Sequence, residues 1–214
     1  MKDKLLKFSR YPSRAVEDKD AVYAMLDEAK MCHISYQFEG HPVMIPTIFG
    51  RIGNTIYLHG SVKSRSMMYI NQCEICFCVS HLDDLVLART ALDHSMNYRS
   101  VIAYAKPRLV TEKQEKLKAL EAIINQILPA RWNEVDAPTD NDLAATAVHA
   151  FELEKFTAKQ RNAGPGDENK PQKDVWAGLV PLKKGFEAAV PDEFLDENVP
   201  VPESVKELFR ISNK

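Results

Sequence analysis

Between residues 31 and 59 the chain alternates short apolar runs with tight-turn residues, and this spacing is what most restricts its fold. Residues 31–38 are rich in strand formers and end at Glu39-Gly40. Residues 42–49 form a second run, ending at Arg51-Ile52-Gly53-Asn54. Residues 55–59 form a third. Runs this short, bounded by turn residues, read as strands rather than helices. Turns this tight join antiparallel neighbours, so the segment predicts a meander.

The same reading extends both ways. Val22, Met25, Leu26 and Ala29 repeat at helical spacing, which predicts a helix over 18–30. A short helix is expected after Arg65. Residues 74–80 and 85–88 read as two strands separated by a turn at Asp83-Asp84, and 97–110 as a long strand with Pro107 at an edge or bulge. Leu117, Leu120, Ile123, Ile124 and Ile127 predict a helical stripe ending at Pro129. A short helix over 140–145, a strand over 147–155, a polar loop over 161–173 and a strand over 175–182 follow. A last helix over 204–211 has Ser204 and Glu207 at capping-box spacing. Six to seven mostly contiguous strands with two or three helices favour a closed antiparallel barrel with helices outside. No Gly-x-Gly-x-x-Gly or Walker A sequence supports a Rossmann or P-loop alternative.

Composition narrows the function classes. The 28 basic and 30 acidic residues give a formal net charge of -2, against non-specific nucleic-acid binding. No apolar run is long enough to cross a bilayer, and the N-terminus lacks a signal-peptide pattern, so a cytoplasmic protein is expected. Cys32, Cys73, Cys76 and Cys78 read as free thiols in a reducing compartment, because no second ligand pair completes a zinc site.

The densest polar cluster is His59-Gly60-Ser61-Val62-Lys63-Ser64-Arg65. It follows a strand and precedes a helix. Gly60 permits close backbone approach, two serines offer hydroxyls, and Lys63 and Arg65 bring charge suited to phosphate oxygens. A phosphate cradle and a solvated turn both satisfy this pattern. Asn97-Tyr98-Arg99-Ser100-Val101 and Val43-Met44-Ile45-Pro46-Thr47 are further candidates, each also readable as ordinary strand. Trp176 reads as a core anchor first and a lid over a flat ring second.

Taken in order, Pro46-Thr47, Tyr57-Leu58-His59-Gly60-Ser61 with Lys63-Ser64-Arg65, Asn97-Tyr98-Arg99-Ser100-Val101, and Trp176-Ala177-Gly178 with Pro181 resemble a known family. It is the pyridoxamine 5′-phosphate oxidase-related FMN-binding split barrel, in the branch related to nitroimidazole-resistance reductases. The resemblance spans roughly residues 12–182; Arg14 and Asp20 also fit it. It implies an α+β, mainly β, fold: a six-stranded antiparallel split barrel with flanking helices. A single domain over 1–214 is expected, with a helical C-terminal extension from about residue 190. It also implies a homodimer with FMN at the subunit interface. Ile45, Pro46 and Thr47 would line the isoalloxazine ring, and His59, Gly60 and Ser61 the ribityl-phosphate arm. Lys63, Ser64 and Arg65 would hold the phosphate. Arg99 and Ser100, with Tyr98 and Val101 beside them, would reach the flavin from the partner subunit. Lys159 and Trp176 would approach the ring.

Family oxidases acting on vitamin B6 end in a basic segment, whereas residues 194–214 here are acidic and helical in pattern. That departure argues for a different substrate. The expectation is an FMN-dependent oxidoreductase passing electrons from NAD(P)H to a small acceptor, nitroaromatic or quinone-like. A non-catalytic FMN binder and a haem-binding split barrel are the alternatives.

Overall fold

The computed structural model describes every residue except 1–3, 9, 168, 170–173, 184, 197, 213 and 214; the side chains of residues 211 and 212 are also outside it. The expected polar loop over 161–173 and the end of the tail therefore lie partly outside the described residues. Ten strands and five α-helices are found among those described.

Both hairpins of the expected meander form, but in different sheets rather than as one three-stranded unit. β1 (Cys32–Phe38) pairs with β2 (His41–Thr47) along its whole length. Glu39 and Gly40 both take positive φ, 49° and 80°, as the favoured two-residue hairpin turn requires. The second run then bends at Ile48. Its last part, β3 (Phe49–Ile52), leaves β1 and pairs with β4 (Thr55–Ser61) in a different sheet.

Two sheets result. The large one runs β2-β1-β5-β6-β9, with β10 also on β5, and the small one runs β3-β4-β8-β7. β5 is Ile75–Leu87, β6 Ser95–Ala105, β7 Arg108–Leu109, β8 Thr146–Glu152, β9 Phe156–Arg161 and β10 Gly178–Pro181. The mainly β, antiparallel class matches expectation, but the ladders do not close into one barrel. The chain crosses between sheets at Ile48 and again near Pro107, where a missing N–H ends a ladder.

Asp83-Asp84 is not a turn. β5 runs through it with a register shift between Leu82 and Asp84. Both carboxylates are met from β6: Arg99 bonds Asp83, and Asn97 Nδ2 donates to Asp84 at 2.8 Å. Polar partners on the neighbouring strand let an acidic pair sit within a ladder. β9 was not anticipated. It emerges where Phe156 and Ala158 alternate with Thr157, Lys159 and Arg161.

α1 (Lys19–Glu28) buries Val22, Met25 and Leu26, and Asp18 caps it by accepting from the Asp20 and Ala21 N–H groups. Its C-terminal carbonyls are met by Gln126 of α3 (Lys113–Ile127), whose Nε2 donates to Leu26, Asp27 and Ala29. α3 buries Ala119 and Ile123 rather than the whole expected stripe, and Ile127 is exposed. Close approach makes the difference: a Cβ on Gly50 would lie 2.6 Å from the Ile123 nitrogen. α4 (Asp140–Ala145) carries a capping box from Thr139 and Asp142. In α5 (Glu203–Ser212), Ser204 does not form the expected box with Glu207; it bonds Glu134 instead.

One core lies between the sheets, centred on Ile34, Phe49, Leu58, Phe77, Val101 and Phe151. A second lies between the small sheet and α3, holding Tyr57, Val110, Ala119, Ile123, Val148 and Ala150. No helix among the described residues is long and apolar enough to cross a membrane.

Candidate functional site

Strand alternation divides the expected site residues between faces. On β2, Ile45 opposes Ile34 and packs on the core, while Pro46 opposes His33 and points outward. On β6, Val101 is fully buried, and Arg99 has its guanidinium held between Glu28 of α1 and Asp83 of β5. Those carboxylates keep Arg99 charged. Tyr98 and Ser100 point outward, opposite Arg161 and Lys159 of β9. The outer face of the large sheet thus carries the row Pro46, His33, Cys78, Ile102 and Thr157. Beside it lie Ser80, Ser100 and Lys159 on one side and Ser35, Cys76 and Tyr104 on the other. Apart from exposed Pro46 and Ser80, these side chains are half-buried.

The cradle residues sit elsewhere, where β4 ends and α2 (Arg65–Tyr69) begins. Gly60 packs against Met67, where a Cβ would meet its Cγ at 2.9 Å. The Ser61 hydroxyl accepts from the Lys63 N–H at 3.2 Å, and Ser64 N–H donates to the Ser61 carbonyl at 2.9 Å. Ser64 Oγ bonds Ser66 Oγ at 2.8 Å instead of capping the helix. Arg65 lies over the Phe38 ring at 4.8 Å, and neither Lys63 nor Arg65 meets a carboxylate among the described residues. α2 is little more than one turn, so its dipole adds little. Two uncompensated cations, the Ser61 and Ser64 hydroxyls and the N–H groups that precede the first intrahelical bond, Met68 to Ser64, suit a phosphate.

His59 faces α3 with Nδ1 unpartnered, and burial lowers its pKa. His149, opposite Leu58, is fully buried with both ring nitrogens unpartnered. Burial lowers its pKa, with the Met67 backbone pulling weakly the other way. Burial pushes the Cys32 thiol up to about 12 and raises Cys76 and Cys78, so none is an activated thiolate. Among the described residues, no group of three His, Cys, Asp or Glu side chains is arranged to hold a metal ion.

Trp176 is 65% exposed, not a core anchor, and its ring folds back over Gly178. A cavity of about 790 Å³ opens between the ends of α1 and α3, β5 and the C-terminal segment, lined by Glu28, Met31, His81, Phe186 and Leu208 among others. None of the expected site residues lines it. His81 Nε2 lies 2.8 Å from the Met25 carbonyl, which turns Nδ1 toward Glu28.

One cluster was missed in the sequence. Arg161 is 8% exposed, and its bonds go to Asn97 Oδ1 at 2.5 Å and to the Ala163 and Gly164 carbonyls. Its Nε has no partner. Arg14 is close enough to act on its charge, Lys159 lies two residues earlier on the same strand face, and Lys159 donates to the Arg10 carbonyl. The signal was the two-residue alternation from Lys159, itself an expected ring contact, to Arg161, hidden because Arg161 was read as the start of a loop.

The profile of the family described as pyridoxamine 5′-phosphate oxidase matches residues 18–160. No curated protein matches the sequence. Among solved structures, the flavocytochrome Anf3 from Azotobacter vinelandii is 29% identical, with 96% of this chain and 97% of that one covered at a TM-score of 0.89. The FAD and haem binding protein from Mycobacterium smegmatis is 26% identical, with 92% and 97% covered at 0.87. A candidate 5-nitroimidazole antibiotic resistance protein from Bacteroides thetaiotaomicron shares the fold at 21% identity, 68% and 86% coverage and a TM-score of 0.59.

Proposed function

The chain belongs to the pyridoxamine 5′-phosphate oxidase family, and from that premise we propose that it is a homodimeric flavoprotein in redox chemistry. The observation that carries this reading is the β4–α2 corner, where Lys63 and Arg65 stand beside two serine hydroxyls and meet no carboxylate among the described residues. That donor set suits the phosphate of FMN and equally the proximal phosphate of FAD.

The outer face of the large sheet supports a second copy of the chain as partner. Ile102, Tyr104, Cys76 and Cys78 are half-buried and Met44 is 67% exposed, an apolar surface of the kind that associates. An isologous pair about a two-fold axis is its simplest covering. The flavin supplies the electron chemistry when bound. Lys63 and Arg65 hold and neutralise its phosphate, and Tyr98, Ser100 and Pro46 shape the surface on which a ring can lie. The reductant is a nicotinamide nucleotide and the acceptor a small nitroaromatic or quinone. No side chain is assigned as acid or base.

A second cofactor, haem, is favoured by likeness across nearly the whole chain to two proteins whose descriptions include it or name a flavocytochrome. His33 would be the residue to hold the haem iron: its ring makes no hydrogen bond among the described residues and is half-buried between Pro46 and Cys78.

The absorbance of the protein as purified tests both readings. Flavin bands are expected, with a Soret band where haem is also held, and heat release followed by chromatography tells FMN from FAD. The double variant Lys63→Ala, Arg65→Ala should weaken flavin retention by about 2–4 kcal/mol, the loss of two charge-assisted contacts. Protein that takes up no flavin in excess would end the flavin reading. Oxidation of NADH or NADPH with a nitroaromatic acceptor tests turnover.

A further inference from the structure

We propose that the corner formed by Arg10, Arg14, Lys159 and Arg161 binds a pyrophosphate group. Elsewhere this chain pairs its half-buried arginines with acids: Arg51 with Asp27, Arg89 with buried Asp167, Arg99 with Glu28 and Asp83. Arg161 is more buried than any of these, yet its three bonds go to an amide oxygen and two backbone carbonyls. Its Nε–H is unused. A buried cation left without a counter-charge is costly, and burial together with nearby Arg14 depresses the Arg161 pKa.

The surrounding cations are uncompensated too. Arg14 lies 4.0 Å over the Tyr11 ring and Arg10 5.0 Å over it. Lys159 donates to the Arg10 carbonyl at 3.4 Å and sits over Phe8. No carboxylate pairs with any of the four among the described residues. The corner is fixed by backbone: Ala15 bridges to Lys159, and the Val16 N–H donates to the Ala158 carbonyl at 2.9 Å. Tyr11 is held in the left-handed region at φ 54°. A pyrophosphate, with two or more negative charges over adjacent phosphoryl groups, matches several cations better than one carboxylate does.

The proposal goes beyond the flavin reading. Arg161 lies in the Leu82 row of the large sheet, and Arg65 lies at Phe38, about nine strand residues away, or about 30 Å. A phosphate held at Lys63 and Arg65 is therefore not the one held here in the same chain. A dinucleotide bridged here is therefore not a flavin seated at Lys63 and Arg65 of the same chain; the shared chemistry is a pyrophosphate, whether it bridges such a dinucleotide or is free.

The test compares the wild type, Arg14→Gln with Lys159→Gln, and Lys63→Ala with Arg65→Ala, leaving buried Arg161 intact so that folding is spared. Nucleotide released on denaturation is identified by chromatography, and nucleotide-free protein is heated with and without inorganic pyrophosphate. A dinucleotide retained by the wild type and by the Lys63 and Arg65 variant, and lost at least tenfold from the Arg14 and Lys159 variant, supports the site in its bridging form. In nucleotide-free protein, a rise in the melting midpoint of the wild type that persists in the Lys63 and Arg65 variant and vanishes in the other supports it for free pyrophosphate. An Arg14 and Lys159 variant matching the wild type in both readouts overturns the proposal, as does a wild type showing neither. Failure of the flavin reading would appear separately, as absent flavin absorbance.

Discussion

The two sheets of this protein are built from similar residues but covered differently. The small sheet is buried on both faces: Ile56 and Phe151 face the core, while Tyr57 and Ala150 face α3. Its β8 is accordingly an unbroken buried run from Ala147 to Phe151. The large sheet is buried on one face only. β1 and β6 alternate between buried and half-buried positions, and the half-buried set includes Ile102 and Tyr104. The small sheet therefore has no face left for a ligand, and binding falls to its end at Ser61 and to the outer face of the large sheet. The same difference says where a charge should unfold the protein and where it should not.

The largest expected effect is on the inner face of β6. Ala103 is 1% exposed and opposes Phe77. Ala103→Asp buries an unpaired carboxylate and should cost about 3–5 kcal/mol in urea denaturation. A loss under about 1 kcal/mol would show that this face is not core. Next comes the outer cover of the small sheet. A side chain on Gly50 strikes the backbone of Ala122 and Ile123 within 2.9 Å, and a helix backbone does not yield as a flexible side chain does. Gly50→Val should cost about 1–3 kcal/mol. Equal stability would mean that α3 rides freely over β3.

These covers explain what could be read in the sequence. The meander was legible because Glu39-Gly40 and Gly53 mark its turns locally, and α1 because its apolar period and Asp18 cap agree. The split into two sheets was not legible, since nothing in residues 42–49 marks Ile48 as the point of transfer. β9 was hidden for a related reason: Arg161 reads as the start of a polar loop until the surface it shares with Lys159, Tyr98 and Ser100 is known. The cradle residues 59–65 do come together, because the chain leaves the strand there and escapes alternation. The other motifs stayed in strands, so Arg99 and Val101 turned away from Tyr98 and Ser100. Contiguity in sequence was a poor guide to a shared face.

His149 tests the inner lining of the small sheet at smaller cost. Its two ring nitrogens are buried without partners, and its pKa lies below the usual imidazole value. The unfolded chain then binds a proton that the folded chain resists. The neutral ring's contribution is whole above about pH 6.5 and is lost as pH falls through the folded value. His59 adds in the same sense. His149→Leu removes unsatisfied polar atoms, so stability at pH 8 should hold or rise by up to about 1 kcal/mol. The acid-side slope should shrink by at most about 1.4 kcal/mol per pH unit. An unchanged slope from pH 7 to 5 would mean that the ring is protonated, or paired, in the folded protein.

The smallest effect on the subunit itself should come one residue before Ala103. Ile102 points the other way, half-buried beside Cys78 and Thr157 on the uncovered face. Ile102→Asp leaves its carboxylate reachable by water, so the isolated subunit should change by about 0.5 kcal/mol or less. If a second copy covers this face, the same charge is trapped at the centre of an interface, and the dimer should fall to monomers in sedimentation at micromolar concentration. The neighbouring pair thus separates two burials: position 103 reports packing within a chain, and position 102 packing between chains. A variant that stays dimeric with normal flavin retention would move the interface off this sheet, and the flavin ring with it.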